Sequence, residues 1–209
     1  MRALLLSLRI DRWWIWLTLL LFIAAFVSYH TLDLTLFEWL YPYRRDPLLY
    51  PVELLTKLGT STWYIVFSLL LYLYWRGREA GRSNAALLIL STTVSSGILV
   101  DIVKVIFGRA RPQLYADDRL YGFFWGRFDV LYRSFPSGHA TTAMAVWLAF
   151  ALLFPRYRLW LITVGILIAS SRVILSQHYL SDILVGGWLG ATTTLLLYPV
   201  IFPKESRNA

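Results

Sequence analysis

The chain has 209 residues, the length of one domain, of which 58% are hydrophobic and only 15% are charged. A soluble domain carries about 25% charged residues, so the long uncharged runs exclude an ordinary soluble protein and indicate a membrane protein. The absence of cysteine excludes disulfides and thiolate metal sites, and the net charge of +8 lies mostly beside the apolar runs, where it indicates headgroup contact rather than nucleic-acid binding.

Six apolar stretches are long enough to cross a bilayer as helices, which takes about 20 residues each. In chain order they are residues 13–32, 58–75, 83–100, 134–155, 159–181 and 183–203. Backbone groups in lipid must bond within their own segment, so runs this apolar favour helices. We therefore predict an all-α fold: a six-transmembrane-helix bundle that forms a single membrane-embedded domain over residues 1–209.

Basic residues in the short loops predict the orientation of this bundle. With the N-terminus inside, the inner segments are 1–12, 76–82, 156–158 and 204–209. They contain Arg2, Arg9, Arg12, Arg76, Arg78, Arg82, Arg156, Arg158, Lys204 and Arg207 against Asp11, Glu79 and Glu205. This predicts an inner (plasma) membrane protein with both termini in the cytoplasm. A cleaved signal peptide at the first span is the alternative, and it would leave the rest of the topology unchanged.

Two outer segments are long. Residues 33–57 mix apolar residues with scattered charges, which predicts a short interfacial segment between the first two spans. Residues 108–135 are rich in aromatic residues, which is typical of an interfacial belt and also fits a wall or lid over a site. The sequence leaves the role of the aromatic 113–135 loop open.

Chemistry-bearing residues begin at the outer end of the third span, with Lys104 and Arg111. Pro112 is expected to stop a helix there. Asp101 lies three residues before Lys104, a spacing that also fits a plain ion pair. The other arginines of this region are interpreted as headgroup anchors: Arg109, Arg119, Arg127 and Arg133.

The fourth span opens with Pro136-Ser137-Gly138-His139. Ser137 is a good helix N-cap, and Gly138 lets an anion approach the backbone. The free amides of a helix start bind phosphate, and His139 in the first turn is placed to deliver a proton. The alternative is a simple helix cap with an interfacial histidine.

The fifth span and the start of the sixth supply the remaining groups. Arg172 lies in the outer half of a span that contains no acid, so it needs an anionic partner such as a phosphate. His178 and Asp182 are four residues apart, and a carboxylate bonded to one ring nitrogen makes the other a better nucleophile. The alternative is an interfacial histidine beside an acid that favours the helix dipole. Because the four spans alternate in direction, all these groups are predicted at one outward-facing active site.

The three motifs, within a core at 101–185, resemble a known family. Lys104 followed by Arg111-Pro112, then Pro136-Ser137-Gly138-His139, then Ser171-Arg172 with His178 and Asp182 match the three motifs of the type 2 phosphatidic acid phosphatase superfamily in order. The resemblance implies that His178 attacks phosphorus to form a phosphohistidine, that Asp182 orients it, and that His139 protonates the leaving oxygen. It implies phosphate-binding roles for Lys104, Arg111, Ser137, Gly138 and Arg172, with no metal and no cofactor.

The resemblance therefore implies a lipid phosphate phosphatase whose active site lies on the periplasmic or outer face. Family substrates include phosphatidic acid, phosphatidylglycerol phosphate, undecaprenyl diphosphate and the 1-phosphate of lipid A, and the motifs do not choose among them. A lipid-to-lipid phosphotransferase and a non-enzymatic binder or transporter of anionic lipids are the alternatives. The expected partners are the bilayer and its lipid phosphate, with no nucleic acid and no obligatory protein partner.

Overall fold

The computed structural model describes residues 12–203. Nine α-helices follow one another in this range: α1 (Arg12–Thr31), α2 (Asp33–Leu40), α3 (Tyr50–Lys57), α4 (Ser61–Trp75), α5 (Ala80–Phe107), α6 (Pro112–Asp118), α7 (Gly138–Leu153), α8 (Arg158–Ile174) and α9 (Leu180–Ile201). Within these residues the one β pairing is an isolated bridge between Arg109 and Phe123. The predicted all-α fold is confirmed.

Five helical stretches between residues 12 and 203 are long and apolar enough to cross a membrane. They are Trp13–Thr31, Pro47–Trp75, Ala80–Phe107, Pro155–Ile174 and Leu180–Ile201. Helix α7 is also apolar, but its 16 residues rise only about 24 Å, which is less than the hydrocarbon thickness of about 30 Å. A count of six complete spans therefore stays a prediction. The charges counted at residues 1–11 and 204–209 lie outside the described residues.

Helix ends near the predicted motifs differ from expectation. Helix α5 continues past residue 100 to Phe107, so Lys104 lies in its last turn. Gly108 ends that helix with a φ of 55°, a left-handed conformation that glycine adopts without strain, and its N–H donates to the Lys104 carbonyl at 2.9 Å. Pro112 was expected to end a helix but begins α6, because the first helical position needs no backbone donor.

The predicted fifth span, 159–181, is interrupted. Helix α8 ends at Ile174, and Ser176 adopts a φ of 52° in the turn that follows. His178 therefore lies in the connection between α8 and α9 rather than inside a helix.

Helix α7 lies at the centre of the bundle and packs against α5, α8 and α9. Alanines on α7 are buried, among them Ala140, Ala143 and Ala149. A methyl group on Gly190 would lie 2.1 Å from the Thr141 carbonyl oxygen, so α9 crosses α7 at backbone contact. This crossing brings the start of α9 against the start of α7, where the Ser137 N–H donates to the Asp182 carbonyl at 3.0 Å.

The interfacial segment has two faces. Trp39, Leu48 and Tyr50 are exposed, as expected for a segment that lies at a membrane surface. Asp33 and Thr56, in contrast, are buried. The segment therefore contributes polar groups to the interior of the bundle.

The aromatic loop also divides into two parts. Phe123 packs 5.7 Å from Phe107 between ring centroids and is part of an inner cluster. Trp125, Phe128 and Val130 are exposed. The inner part forms a wall beside the helix ends, and the outer part has the exposure of an interfacial belt.

Candidate active site

Four helix ends meet on one side of the bundle: the C-terminal ends of α5 and α8 and the N-terminal ends of α7 and α9. They bring together every residue that the three motifs singled out: Lys104, Arg111, Ser137, Gly138, His139, Arg172, His178 and Asp182. His139 interacts electrostatically with His178. The two imidazoles therefore share one pocket, although 39 positions separate them in the chain (178 − 139).

His178 is held from behind by a carboxylate and a hydroxyl. Its Nδ1 lies 3.5 Å from Asp182 Oδ2 and 3.4 Å from Ser134 Oγ. Ser134 donates to the same carboxylate oxygen at 2.6 Å, and the Tyr179 N–H donates to it at 3.0 Å. Asp182 thus caps α9 and, with Ser134 as a bridge, fixes the orientation of the His178 ring; its role in catalysis stays a prediction. With Nδ1 on this side, Nε2 is the nitrogen free to react.

Burial lowers the pKa of His178 to about 4, against an opposing effect of Asp182. Removing an imidazole from water disfavours its charged form, and Arg172 and Arg111 act in the same direction. The ring is therefore neutral at physiological pH, which is the protonation state that a nucleophile needs.

The start of α7 forms an anion cradle. Ser137 is the N-cap, as predicted, and its Oγ accepts from the Ala140 N–H at 3.4 Å. A methyl group on Gly138 would lie 3.2 Å from Lys104 Nζ, so the ammonium sits directly beside the helix start. Free amides and a cation at one point favour a phosphate.

Three cations of this pocket have no carboxylate partner. Among residues 12–203, none of the ion pairs includes Lys104, Arg111 or Arg172. The Nε atoms of Arg111 and Arg172 are buried and lack a hydrogen-bond partner in the protein. Buried charge requires an opposite charge, so the pocket is built for an anion. The described residues contain no cluster of three or more His, Cys, Asp or Glu arranged for a metal.

Thr56 in the interfacial segment and Gly59 just after it reach this pocket without any signal in the sequence. Arg172 Nη1 donates to Thr56 Oγ1 at 3.0 Å, which fixes the direction of the guanidinium. Gly59 packs against the general-acid candidate, since a methyl group there would lie 2.9 Å from His139 Cδ2. Neither residue belongs to a recognisable sequence pattern, so only the packing of the folded chain shows that it lies at the site.

The interpretation of Arg109 as a headgroup anchor is wrong. Its side chain is fully buried. Nη2 donates to Asp33 Oδ2 at 2.7 Å, and Nη1 pairs with Asp182 and donates to Ser181 Oγ at 2.7 Å. Burial opposes the charge, but Asp182 and Asp33 outweigh it and raise the pKa of Arg109 above its ordinary value. The spacing of arginines in an aromatic loop cannot distinguish an anchor from a buried cation.

Other arginines of the loop stay near the surface. Arg119 lies 3.6 Å from Glu38 with both side chains largely exposed. Arg133 pairs with Asp101 at 2.9 Å. Asp101 therefore has Arg133 as its ion-pair partner rather than Lys104, which leaves the lysine to the anion cradle.

Several known proteins are similar to this chain. The family model described as the PAP2 superfamily matches residues 85–206. A lipid A 1-phosphatase of Rhizobium etli is 38% identical over 160 residues, which cover 69% of this chain and 69% of that protein. A lipid A 1-phosphatase of Rhizobium johnstonii is 40% identical over 156 residues, which cover 69% of this chain and 64% of that protein.

A solved structure gives the fold. The crystal structure of a PAP2 type phosphatidylglycerolphosphate phosphatase from Bacillus subtilis superposes with a TM-score of 0.64 over 93% of this chain and 96% of that chain, at 21% identity. The family model covers more than half of the sequence and includes all three motifs. The chain belongs to the PAP2 superfamily and is an integral membrane lipid phosphatase.

Proposed function

We propose that this phosphatase hydrolyses a phosphomonoester of a bacterial envelope lipid, with the 1-phosphate of lipid A as the first candidate. The observation that carries the proposal is the set of three cations without a carboxylate partner at the start of α7, all within electrostatic range of His139. The choice of lipid A rests on the names of the two Rhizobium relatives.

The geometry supports a two-step mechanism. His178 Nε2 attacks phosphorus, the N–P bond forms, and the ester P–O bond breaks while His139 donates its proton to the leaving oxygen. Water then attacks the phosphohistidine with His139 as base, which releases phosphate and restores His178. Lys104, Arg111 and Arg172 neutralise the equatorial oxygens, and positioning plus neutralisation is the main requirement of phosphoryl transfer. We expect no metal requirement.

A groove beside the pocket supports a lipid substrate. It has a volume of about 270 Å³ and begins at Lys57 and Thr60, which flank the Gly59 that packs on His139. Its remaining lining is Leu58, Trp63, Tyr64, Phe67, Ser68, Leu71, Ile89 and Phe150. An apolar groove along α4, lined at one end by the neighbours of Gly59, suits an acyl chain whose headgroup lies at the site.

Purified protein should release phosphate from lipid A in detergent, in the presence of a chelator and without a second lipid. The comparison substrates are phosphatidic acid, phosphatidylglycerol phosphate and undecaprenyl diphosphate, each assayed at equal mole fraction in the micelle. Preference for another lipid would overturn the lipid A assignment. Phosphate release that requires an acceptor lipid would favour the phosphotransferase, and loss of activity with chelator would contradict the metal-free mechanism.

We further propose that the site faces the periplasm and that the termini are cytoplasmic. The end of the bundle opposite the site carries exposed basic residues, namely Arg76, Arg78, Arg82, Arg156 and Arg158, as expected of a cytoplasmic face. The cysteine-free chain allows single-cysteine labelling. Phe128→Cys, on the site side and 79% exposed, should react with an impermeant maleimide once the outer membrane is permeabilised. Arg78→Cys should react only after lysis, and the reverse pattern would invert the topology.

A further inference from the structure

Behind the catalytic pair lies a buried charge cluster that the mechanism above does not use. Arg109 joins two carboxylates: Nη2 donates to Asp33 at 2.7 Å and to Tyr121 Oη at 3.0 Å, while Nη1 pairs with Asp182. The side chains of Arg109, Asp33 and Asp182 are all fully buried. Four rings surround the guanidinium at 4.6–5.4 Å from its Cζ: Tyr29, Tyr121, Phe123 and Tyr179.

Asp33 comes from the start of the second helix and not from the motif region. Its Oδ1 accepts from Ser28 Oγ at 2.7 Å and from the Ser181 N–H at 3.0 Å, and its Oδ2 also accepts from Ser181 Oγ. The carboxylate is thus tied to the first turn of α9, one residue before Asp182. The family match begins only at residue 85, so this contribution lies outside the matched region.

The arrangement matters because the negative charge of Asp182 interacts with two groups, His178 on one side and Arg109 on the other. Its Oδ2 faces His178 and Ser134, and its Oδ1 faces Arg109. An arginine paired with Asp182 alone would neutralise the carboxylate that must stabilise His178 as positive charge develops on the ring. A second carboxylate on the other nitrogen of the same guanidinium shares that positive charge. The group of one cation and two anions keeps one net negative charge for the imidazole.

We propose that Asp33 is a positioning residue for the phosphatase reaction: it balances Arg109, so that Asp182 keeps its orientation and its charge toward His178. This inference rests on the proposed role of His178 as nucleophile. The side chains of the Asp33–Arg109 pair meet the site through Asp182, so their charges act on His178 through that carboxylate.

A role of Asp33 in charge balance and a role in packing predict different shifts of the His178 pKa. The groups facing His178 are Asp182 from α9, Arg172 from α8, Arg111 from the loop after α5, and His139 from α7. Asp33→Asn removes a negative charge on the side of Asp182 that faces away from His178. This substitution should lower the pKa of His178 below its value of about 4. Arg109→Met removes a positive charge and should raise that pKa toward 6.5. Mere loosening of the core would hydrate the ring and raise the pKa in both variants.

The test is a titration of the histidine rings by NMR in detergent micelles, together with steady-state kinetics. The chain has three histidines, so His30 and His139 can be assigned by substitution. Asp33→Asn should also lower kcat by about 10- to 100-fold with KM changed less than about twofold. Glu38→Gln is the matched control, because Glu38 lies on the same helix with an exposed side chain; it should change neither quantity.

Opposite shifts of the His178 pKa in the two charge variants support the proposal. Shifts in the same direction, or an Asp33→Asn enzyme with unchanged kcat, would overturn it. If the Arg109→Met protein does not fold, Arg109→Lys is tested in its place. This variant should keep the low pKa of His178 and lose part of kcat. Because the titration needs no turnover, a protein that fails to release phosphate from any lipid would refute the proposed function while leaving the charge balance testable.

Discussion

Replacing His178 with alanine should reduce phosphate release by on the order of 10⁴–10⁶-fold, the range for loss of a catalytic nucleophile. His178 has its Nδ1 held by Asp182 and Ser134, which leaves Nε2 for the attack on phosphorus. The cations that bind phosphate do not depend on this ring. Substrate binding should therefore survive the substitution, and the measurement is kcat together with equilibrium binding of the lipid.

His30→Ala is the matched control. His30 is exposed at the end of α1, and its ring contacts are with Phe26 and Tyr29 rather than with His139, His178 or Asp182. Its replacement should leave kcat unchanged. Near-full activity of the His178→Ala protein would refute the nucleophile assignment, and loss of lipid binding in that variant would show that the ring also serves to hold the substrate.

Replacing Asp182 with asparagine should lower kcat by about 10⁴-fold, the scale seen when a histidine loses the carboxylate that orients it. Asp182 is the N3 residue of a capping box at the start of α9, and the side-chain oxygen of asparagine can still accept from the Tyr179 N–H, which Asp182 now does at 3.0 Å. What is lost is the negative charge facing His178 and Arg109. The effect on kcat thus separates the catalytic role of Asp182 from its capping role.

A second capping aspartate provides the comparison. Asp46 accepts from the Leu48 N–H at 2.8 Å at the surface of the interfacial segment, and Asp46→Asn should leave turnover unchanged. Thermal unfolding of both variants in the same detergent reports whether the fold survives. An Asp182→Asn enzyme with more than about a tenth of wild-type kcat would mean that Asp182 acts mainly as a cap.

The pocket was predictable from the sequence because the predicted spans alternate in direction. Lys104 and Arg172 lie near the ends of two helices, and His139 and Asp182 lie near the starts of the helices that run in the opposite direction, so all four had to arrive at one level. Motif spacing also predicted the pairing of His178 with Asp182, which the structure has at 3.5 Å. Long apolar runs and helix-start signals are local properties, and they survive folding unchanged.

Other parts of the site could not be predicted. Ser134 and Thr56 look like ordinary polar residues at segment ends, yet Ser134 bridges His178 and Asp182, and Thr56 fixes the direction of Arg172. Arg109 resembles its exposed neighbours Arg119 and Arg127 in every local respect, but it is fully buried. The direction of a side chain at a loop or helix end depends on what packs against it, and sequence spacing contains no information on that packing.

The amino-acid sequence alone determined that this protein is a helical membrane protein with three cations and two histidines at one end of its helices, since hydrophobic length and charge position are properties of the linear chain. The tertiary structure alone decided that the carboxylate of Asp33, at the start of α2, joins Arg109 on the side of Asp182 that faces away from His178. That contact links residues 76 positions apart, and it exists because burial of one guanidinium requires opposite charge from wherever the fold can supply it.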